Sequence, residues 1–284
     1  MRSSEWLLVA YFFYVSVLSF IFPVRAGTHG LLLGINLAII GSYVVLVLAE
    51  SKWPIKAVSI TRDWYALALM LPAYQEMGWF APAQHTFELE RTWVVWDRLL
   101  LREWGLRRFI ELLGPLLPAL LEISYSLVYT LAPFSVAMLY VYHRRKRVDR
   151  LLFLFMLGVL LAYTQFPFWP SEPPRTVFPG EDFPSYETVF RRFNWWLLGG
   201  YGIHTSVFPS AHVSGAFSLA FGMMRVLPER RWVGRFLLVM AVLIATVTVY
   251  GRYHYAADAV AGFAISLAAL GITALTERIS GARA

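Results

Sequence analysis

Apolar runs separated by short polar turns dominate this 284-residue chain, at about 6–22, 30–49, 63–82, 117–142, 149–167, 211–227, 232–251 and 257–276. Most approach the roughly 20 residues that a helix needs to cross about 30 Å of hydrocarbon. The pattern therefore predicts an all-α fold, a polytopic transmembrane helix bundle of about eight spans, read as one integral membrane domain over residues 1–284. The third run carries Asp63, Pro72, Gln75 and Glu76 and is the least regular. Parity calls for it to cross. With a cytoplasmic N-terminus, the basic cluster His143-Arg144-Arg145-Lys146-Arg147 with Arg150 reaches the cytoplasmic side only if run three spans. The majority of the Lys and Arg residues then fall inside.

Three segments depart from plain spans. Run 6–22 has a second reading as a cleaved signal peptide, with Val24-Arg25-Ala26 as a cleavage site, although its length is great for that role. Segment 83–116 sets Trp93, Trp96, Leu99 and Leu100 against Arg91, Asp97, Arg98 and Arg102, the pattern of an amphipathic helix lying on the membrane surface. The long polar excursion at 168–207 is rich in Pro and Gly, and loops of that length are usually functional or disordered.

Composition narrows the class. The chain is 58% hydrophobic and 15% charged, where soluble domains average nearer 25% charged. Eleven Trp and fifteen Tyr suit two interfacial aromatic belts. The net charge of +7 sits in short turns, so anionic headgroups are the expected partner rather than nucleic acid. The absence of cysteine excludes disulfides, thiolate chemistry and Cys-ligated metal.

Chemistry concentrates late in the chain. His254 and Asp258 open the last span at spacing i, i+4 and share a helix face. An aspartate on one imidazole nitrogen fixes the tautomer and leaves the other free to attack; the alternative is a polar pair facing headgroups. In Phe208-Pro209-Ser210-Ala211-His212, Ser210 is a candidate N-cap at a helix start that binds anions. His212 there can protonate a departing alkoxide. A span and its return separate the two histidines, which places them at one membrane face, outside under this topology. In the excursion, Trp169-Pro170-Ser171-Glu172-Pro173-Pro174-Arg175 offers a guanidinium on a stiff backbone, suited to phosphate. Arg252 is a second candidate cation.

These segments resemble, in order and chemistry, the type 2 phosphatidic acid phosphatase superfamily, over roughly residues 163–265. The specific matches are Pro-Ser-x-His and then His-x-x-x-Asp-x-x-x-Gly, here His254, Asp258 and Gly262. The resemblance implies a six-helix phosphatase-like core, His254 as a transiently phosphorylated nucleophile, Asp258 as its orienter and His212 as general acid. Ser210 and Arg175 would hold the phosphate, and no cofactor and no metal are implied. Phe168 stands where the family usually has Lys, and Thr176 where it has Pro. Val247-Thr248 replace Ser-Arg, and Arg252 replaces a common Gly and could supply a missing cation. The pattern is similar to the inositol phosphorylceramide synthase-like branch, with Arg62-Asp63-Trp64, Trp96-Asp97-Arg98 and Glu122 with Tyr125 as weaker matches.

The function expected is that of a metal-independent lipid phosphotransferase with a phospholipid or lipid-phosphate donor and an inositol or lipid-alcohol acceptor. The alternative acceptor, water, makes it a lipid phosphatase. Glu122 and Glu76 lie at about the depth of the histidines and could bind acceptor hydroxyls, or hydrogen-bond between helices. His29, His85, His143 and His204 are expected to cap or face solvent. Two rivals stay in view: a transporter using Asp258, His254, Glu122 and Glu76 as an ion path, and a Ser–His hydrolase using Ser210. The site lies extracytoplasmic, in a plasma or inner membrane.

Overall fold

The structure, a computed structural model, describes residues 1–53, 55–80, 85–203, 207–279 and 281. Among them every regular element is helical. In chain order the helices are α1 (Ser3–Leu18), α2 (His29–Lys52), α3 (Lys56–Ala68), α4 (Met70–Met77), α5 (Glu88–Arg98), α6 (Leu106–Glu111) and α7 (Leu116–Ser126). There follow α8 (Val128–Val141), α9 (Val148–Tyr163), α10 (Pro174–Val177), α11 (Val189–Tyr201), α12 (Ala211–Val226), α13 (Arg231–Tyr250) and α14 (Ala256–Ile279).

Among the described residues each of the eight apolar runs is largely helix, but two are broken. Run three divides at Leu69 into α3 and α4, three residues before Pro72, whose missing N–H and bulky ring oppose a continuous helix. The fourth run bends by 64° between α7 and α8. At that bend the carbonyl of Glu122 accepts from Ser126 Oγ and Asn194 Nδ2, and such side-chain competition for helical carbonyls bends helices. Among the described residues α2, Pro228–Tyr250 and α14 are each long and apolar enough to cross a membrane, and the bent pair would make a fourth span. α1, α9 and α12 have 16 residues each, about 24 Å at 1.5 Å per residue.

α12 is the hub. It is buried along most of its length and packs on α9, α13 and α14. Small residues allow the approach: a Cβ on Gly158 of α9 would stand 2.1 Å from Ser218 Oγ of α12. Ser214 Oγ donates to the Gly158 carbonyl at 2.8 Å. In a bilayer, where lipid is as apolar as leucine, such close packing and interhelical hydrogen bonds hold helices together. The outer faces stay apolar and exposed, as at Leu37, Val45 and Leu48 of α2 and Val260 and Leu275 of α14. The protein is an integral membrane protein.

At the end of α12 distant from His212 the basic segments gather. Arg145 Nε donates to Asp63 Oδ2 at 2.7 Å, and Arg2 and Tyr140 bond the same carboxylate. Arg62 pairs with Glu5 and Glu50, and Arg144 and Arg147 with Glu229. Asp63, the residue that most marred run three, is thus a junction of the charged end. The first run is part of the same bundle, with Leu8, Phe12 and Val15 fully buried.

The surface helix departs from its expected orientation. Trp96 and Leu99 of 83–116 are exposed, but Glu90, Trp93, Val94 and Asp97 of α5 face the protein. Asp97, read from the sequence as part of the water-facing side, is fully buried because two donors from the far end of the chain meet it there.

Candidate active site

The turn between α13 and α14 carries the second histidine. α13 closes with the amides of Tyr253 and His254 both donating to the Thr248 carbonyl, at 2.9 and 2.8 Å. Arg252 adopts φ +64, a left-handed conformation that glycine takes freely and arginine takes at a cost. His254 Nδ1 lies 3.2 Å from Asp258 Oδ2, one helical turn on, and the same oxygen accepts from the Tyr255 amide at 2.9 Å. Burial first, and then the charge of Arg175, push the His254 imidazole down to about 3. The ring is therefore neutral at physiological pH, with Nε2 carrying a lone pair when Nδ1 donates to Asp258.

α12 brings the first histidine alongside. Ser210 caps the helix through a 3.4 Å bond from the Val213 amide, and its own amide donates to the Asp258 carbonyl at 3.0 Å. A Cβ on Gly262 would stand 2.4 Å from the Ser210 carbonyl, so the glycine lets α14 reach the N-terminus of α12. His212 Nδ1 then lies 3.4 Å from His254 Nε2, and His212 Nε2 lies 3.3 Å from the Tyr129 hydroxyl. Asp258, His254, His212 and Tyr129 form one line.

Arg175 reaches the same place from the excursion. Its Nη1 donates to the Tyr253 carbonyl at 3.2 Å. The excursion is held as a wall, with its own helix α11. Asp182 pairs with Arg98 at 2.9 Å and with Arg102, and the Glu172 amide donates to Glu90 at 2.8 Å. The amide and hydroxyl of Ser185 both donate to Glu111 at 2.8 Å. Burial would raise the Glu111 carboxyl, yet the bonds from Ser185 and Tyr250 hold it below its ordinary value.

A cavity of about 270 Å³ opens at this line. Arg175, His212, His254, Tyr253, Tyr125 and Tyr129 border it, and its remaining walls are largely apolar side chains of α3, α4, α8, α9 and α12. Over this geometry the sequence matches the PAP2 superfamily across residues 93–272, more than half of the chain. The chain belongs to the PAP2 superfamily. Comparison with curated proteins and with solved structures gave no match. Members of this superfamily are membrane phosphatases and phosphotransferases. The match begins at Trp93, inside α5, well before the motif segments at 163–265. That extension has a physical counterpart, since α5 holds the histidine turn through Asp97.

Several expected site residues of this PAP2 chain sit elsewhere. Arg252 is fully buried and donates from Nη1 to Asp97 at 2.5 Å, and it does not line the cavity. Its place in the turn is thereby explained by an ion pair within the fold. Ser210 is fully buried with its hydroxyl in the cap. Glu122 is wrapped by Arg191 at 3.0 Å, Asn194 at 2.8 Å and Tyr253 at 2.6 Å, the interhelical alternative. Glu76 is buried near Asn36 and Tyr11, away from the cavity lining. His85 bonds the buried Glu90 rather than facing solvent, His143 is exposed, and His29 stands half-buried at the start of α2. His204 lies outside the described residues.

The sequence reading missed two tyrosines. Tyr129 touches His212, and Tyr253 stacks on Tyr125 with centroids 4.1 Å apart. Tyr125 in turn lies 5.3 Å from the His212 ring. Tyr253 directly precedes His254 of the second motif, whereas Tyr129 carried no signal beyond membership of an aromatic-rich run.

Proposed function

We propose that this PAP2 protein is a metal-independent lipid phosphotransferase of the inositol phosphotransferase-like kind, working through a phosphohistidine on His254. The observation that carries the reading is the line from Asp258 through His254 to His212 at the polar rim of a largely apolar cavity.

In the first half-reaction the donor's phosphorus enters between the two rings, displacing their 3.4 Å contact. His254 Nε2 attacks phosphorus as the bond to the leaving oxygen breaks, and His212 gives that oxygen a proton. Asp258 stabilises the positive charge on the His254 ring, while Arg175 and the free amides at the start of α12 face the phosphoryl oxygens. In the second half His212, now neutral, takes a proton from the acceptor hydroxyl. That oxygen attacks phosphorus and frees His254. His212 stands at the end of α12 opposite the basic cluster, which by the positive-inside rule supports an active site on the extracytoplasmic face. The partners are a phospholipid or lipid phosphate and an inositol-like or lipid alcohol.

The test is purified protein with a phospholipid radiolabelled in its headgroup phosphate, with and without inositol or a ceramide-like alcohol, products resolved. Label in a new lipid or inositol ester, absent in His254→Ala and insensitive to chelator, is the expected result. Free phosphate released regardless of acceptor would make the protein a lipid phosphatase. Activity surviving in a folded His254→Ala variant would remove the phosphohistidine.

A further inference from the structure

We propose that the basic end of the bundle carries a binding site for the phosphate headgroup of an anionic phospholipid. It lies in a groove between the start of α3 and the turn from α8 to α9. The inference is independent of the histidine chemistry: Arg147 of this turn bonds the carbonyl of Val226, the last residue of α12, whereas His212 stands in its first turn.

The groove holds more positive charge than the fold uses. It encloses about 750 Å³, within the roughly 300–1,000 Å³ of small-molecule sites. Lys56 and Ile60 of α3 form one side, and Tyr140 with residues 143–147 forms the other. Five of these side chains are lysine or arginine, and two carboxylates answer them. Asp63 accepts from Arg145 at 2.7 Å, and Glu229 takes Arg144 at 2.6 Å and Arg147 at 3.1 Å. Lys56 and Lys146 are exposed and have no ion-pair partner among the described residues. Unanswered cations lining a concavity focus a positive potential there and draw anions in.

The frame is fixed before any ligand arrives. Arg145 is anchored through Asp63 and, from Nη2, to Ser59 Oγ at 2.6 Å, and it lies 5.7 Å over the Tyr140 ring. The Arg144 amide donates to the Leu139 carbonyl at 2.7 Å, and His143 takes the left-handed region at φ +57. Such a backbone is costly for a residue other than glycine and persists where the surroundings enforce it. Lys146 is therefore carried on a turn already folded, and less order has to be imposed when an anion binds.

The walls also select the anion. Trp64 stands four residues beyond Ile60 on the same face of α3, exposed and with its ring 6.2 Å from that of Tyr140. Val141 is exposed next to Tyr140, as are Trp53 and Ile55 just before Lys56. Tryptophan and tyrosine gather at the headgroup level of a bilayer. The groove thus opens where headgroups lie, and its apolar flank continues toward the acyl region. A free phosphate would use the cations alone, whereas a phospholipid uses both, and basic pockets between membrane helices suit anionic headgroups.

Each basic residue beside an anionic lipid surface contributes about fivefold in affinity, or ~1 kcal/mol. The probe is dioleoylphosphatidylglycerol, with dioleoylphosphatidylcholine as the net-neutral lipid of the same chains, titrated into full-length protein in maltoside detergent. Thermal unfolding and native mass spectrometry of retained lipid read the affinity. We expect phosphatidylglycerol to bind more tightly than phosphatidylcholine, and Lys56→Gln with Lys146→Gln to weaken it at least tenfold while leaving phosphatidylcholine unchanged. Arg231→Gln with Arg235→Gln removes the same charge from exposed positions at the start of α13 and should weaken phosphatidylglycerol less than threefold. All four positions are exposed, so both double variants keep the fold, which lipid-free unfolding checks. Equal losses in the two double variants would reduce the groove to general attraction and overturn the site. A wild type with no preference for phosphatidylglycerol overturns it as well. Stabilisation by inorganic phosphate or glycerol 3-phosphate that matches the lipid's overturns lipid as the occupant. No turnover is read, and the histidines are the same in every variant, so failure of the phosphohistidine reading leaves this test intact.

Discussion

Arg252 and Asp97 form an ion pair at 2.5 Å with both side chains wholly excluded from solvent. Asp97 Oδ1 also accepts the Ala256 amide at 2.8 Å. A surface helix thereby grips the turn that presents His254 from both sides. Removing one partner of such a pair leaves a buried charge uncompensated, typically at a cost of about 3–5 kcal/mol. Arg252→Met and Asp97→Asn should each lower the unfolding temperature in detergent markedly. The double variant should recover much of the loss, because it strands no charge. Additive losses in the double variant would show that the two side chains do not act as a pair.

His212 and His254 should separate by leaving group. His212→Gln removes the proposed proton donor and should lower turnover of an alkyl phosphate by about 10²–10⁴-fold. A phenolic leaving group with a low pKa, which departs without help, should lose much less. His254→Gln should abolish both, and rapid acid-free quench of wild type should show a phosphorylated histidine that this variant lacks.

Tyr129 is expected to position His212 through the 3.3 Å contact at Nε2. A neutral hydrogen bond contributes about 0.5–1.5 kcal/mol, so Tyr129→Phe should reduce kcat roughly two- to tenfold. KM should change little and the pH–rate profile should shift. A profile identical to wild type in shape would assign Tyr129 to the cavity wall alone.

Glu122 should behave as a strut. Its carboxylate holds Arg191, Asn194 and Tyr253, joining α7 and α11 to the residue beside His254. Hydrogen bonds to charged groups contribute about 1.5–3 kcal/mol, and Glu122→Gln should lose on that order in thermal unfolding. Hydrolysis and transfer should fall together; selective loss of transfer would restore the acceptor role read from the sequence.

The buried His254 also predicts a pH dependence of stability. Its imidazole is held at about 3 in the fold, against roughly 6.5 for the unfolded chain. Between those values the unfolded state binds a proton that the folded state refuses, so acid favours unfolding. The contribution is complete above about pH 6.5 and is lost as pH falls toward 3. Unfolding midpoints measured from pH 7 to pH 4 should decline, and His254→Asn should flatten the decline.

Much of the site was legible because its motifs are local. His254 and Asp258 are one helical turn apart, Ser210 caps the helix that starts at the next residue, and Gly262 is spaced by one turn from Asp258. Helix periodicity alone relates such residues. Arg252 and Asp97 show where that reading stops. They are 155 positions apart, and nothing in the local pattern of α5 distinguishes an aspartate turned to water from one turned to a buried arginine. Glu122 fails for the same reason: Arg191 and Asn194 come from α11, within a segment that reads as a polar loop, and Tyr253 from the turn before α14.

The sequence by itself determined that this chain is helical, that it lives in a bilayer, and that it carries a histidine and an aspartate one helical turn apart at the start of its last span. Those properties follow from composition, from 3.6-residue periodicity and from contacts between near neighbours. Only the tertiary structure decided which charges are chemical and which structural, since a buried ion pair depends on helices distant in sequence meeting. It alone showed Tyr129 beside His212, the excursion tied down as a wall, and the apolar cavity, which exists only in the space between helices.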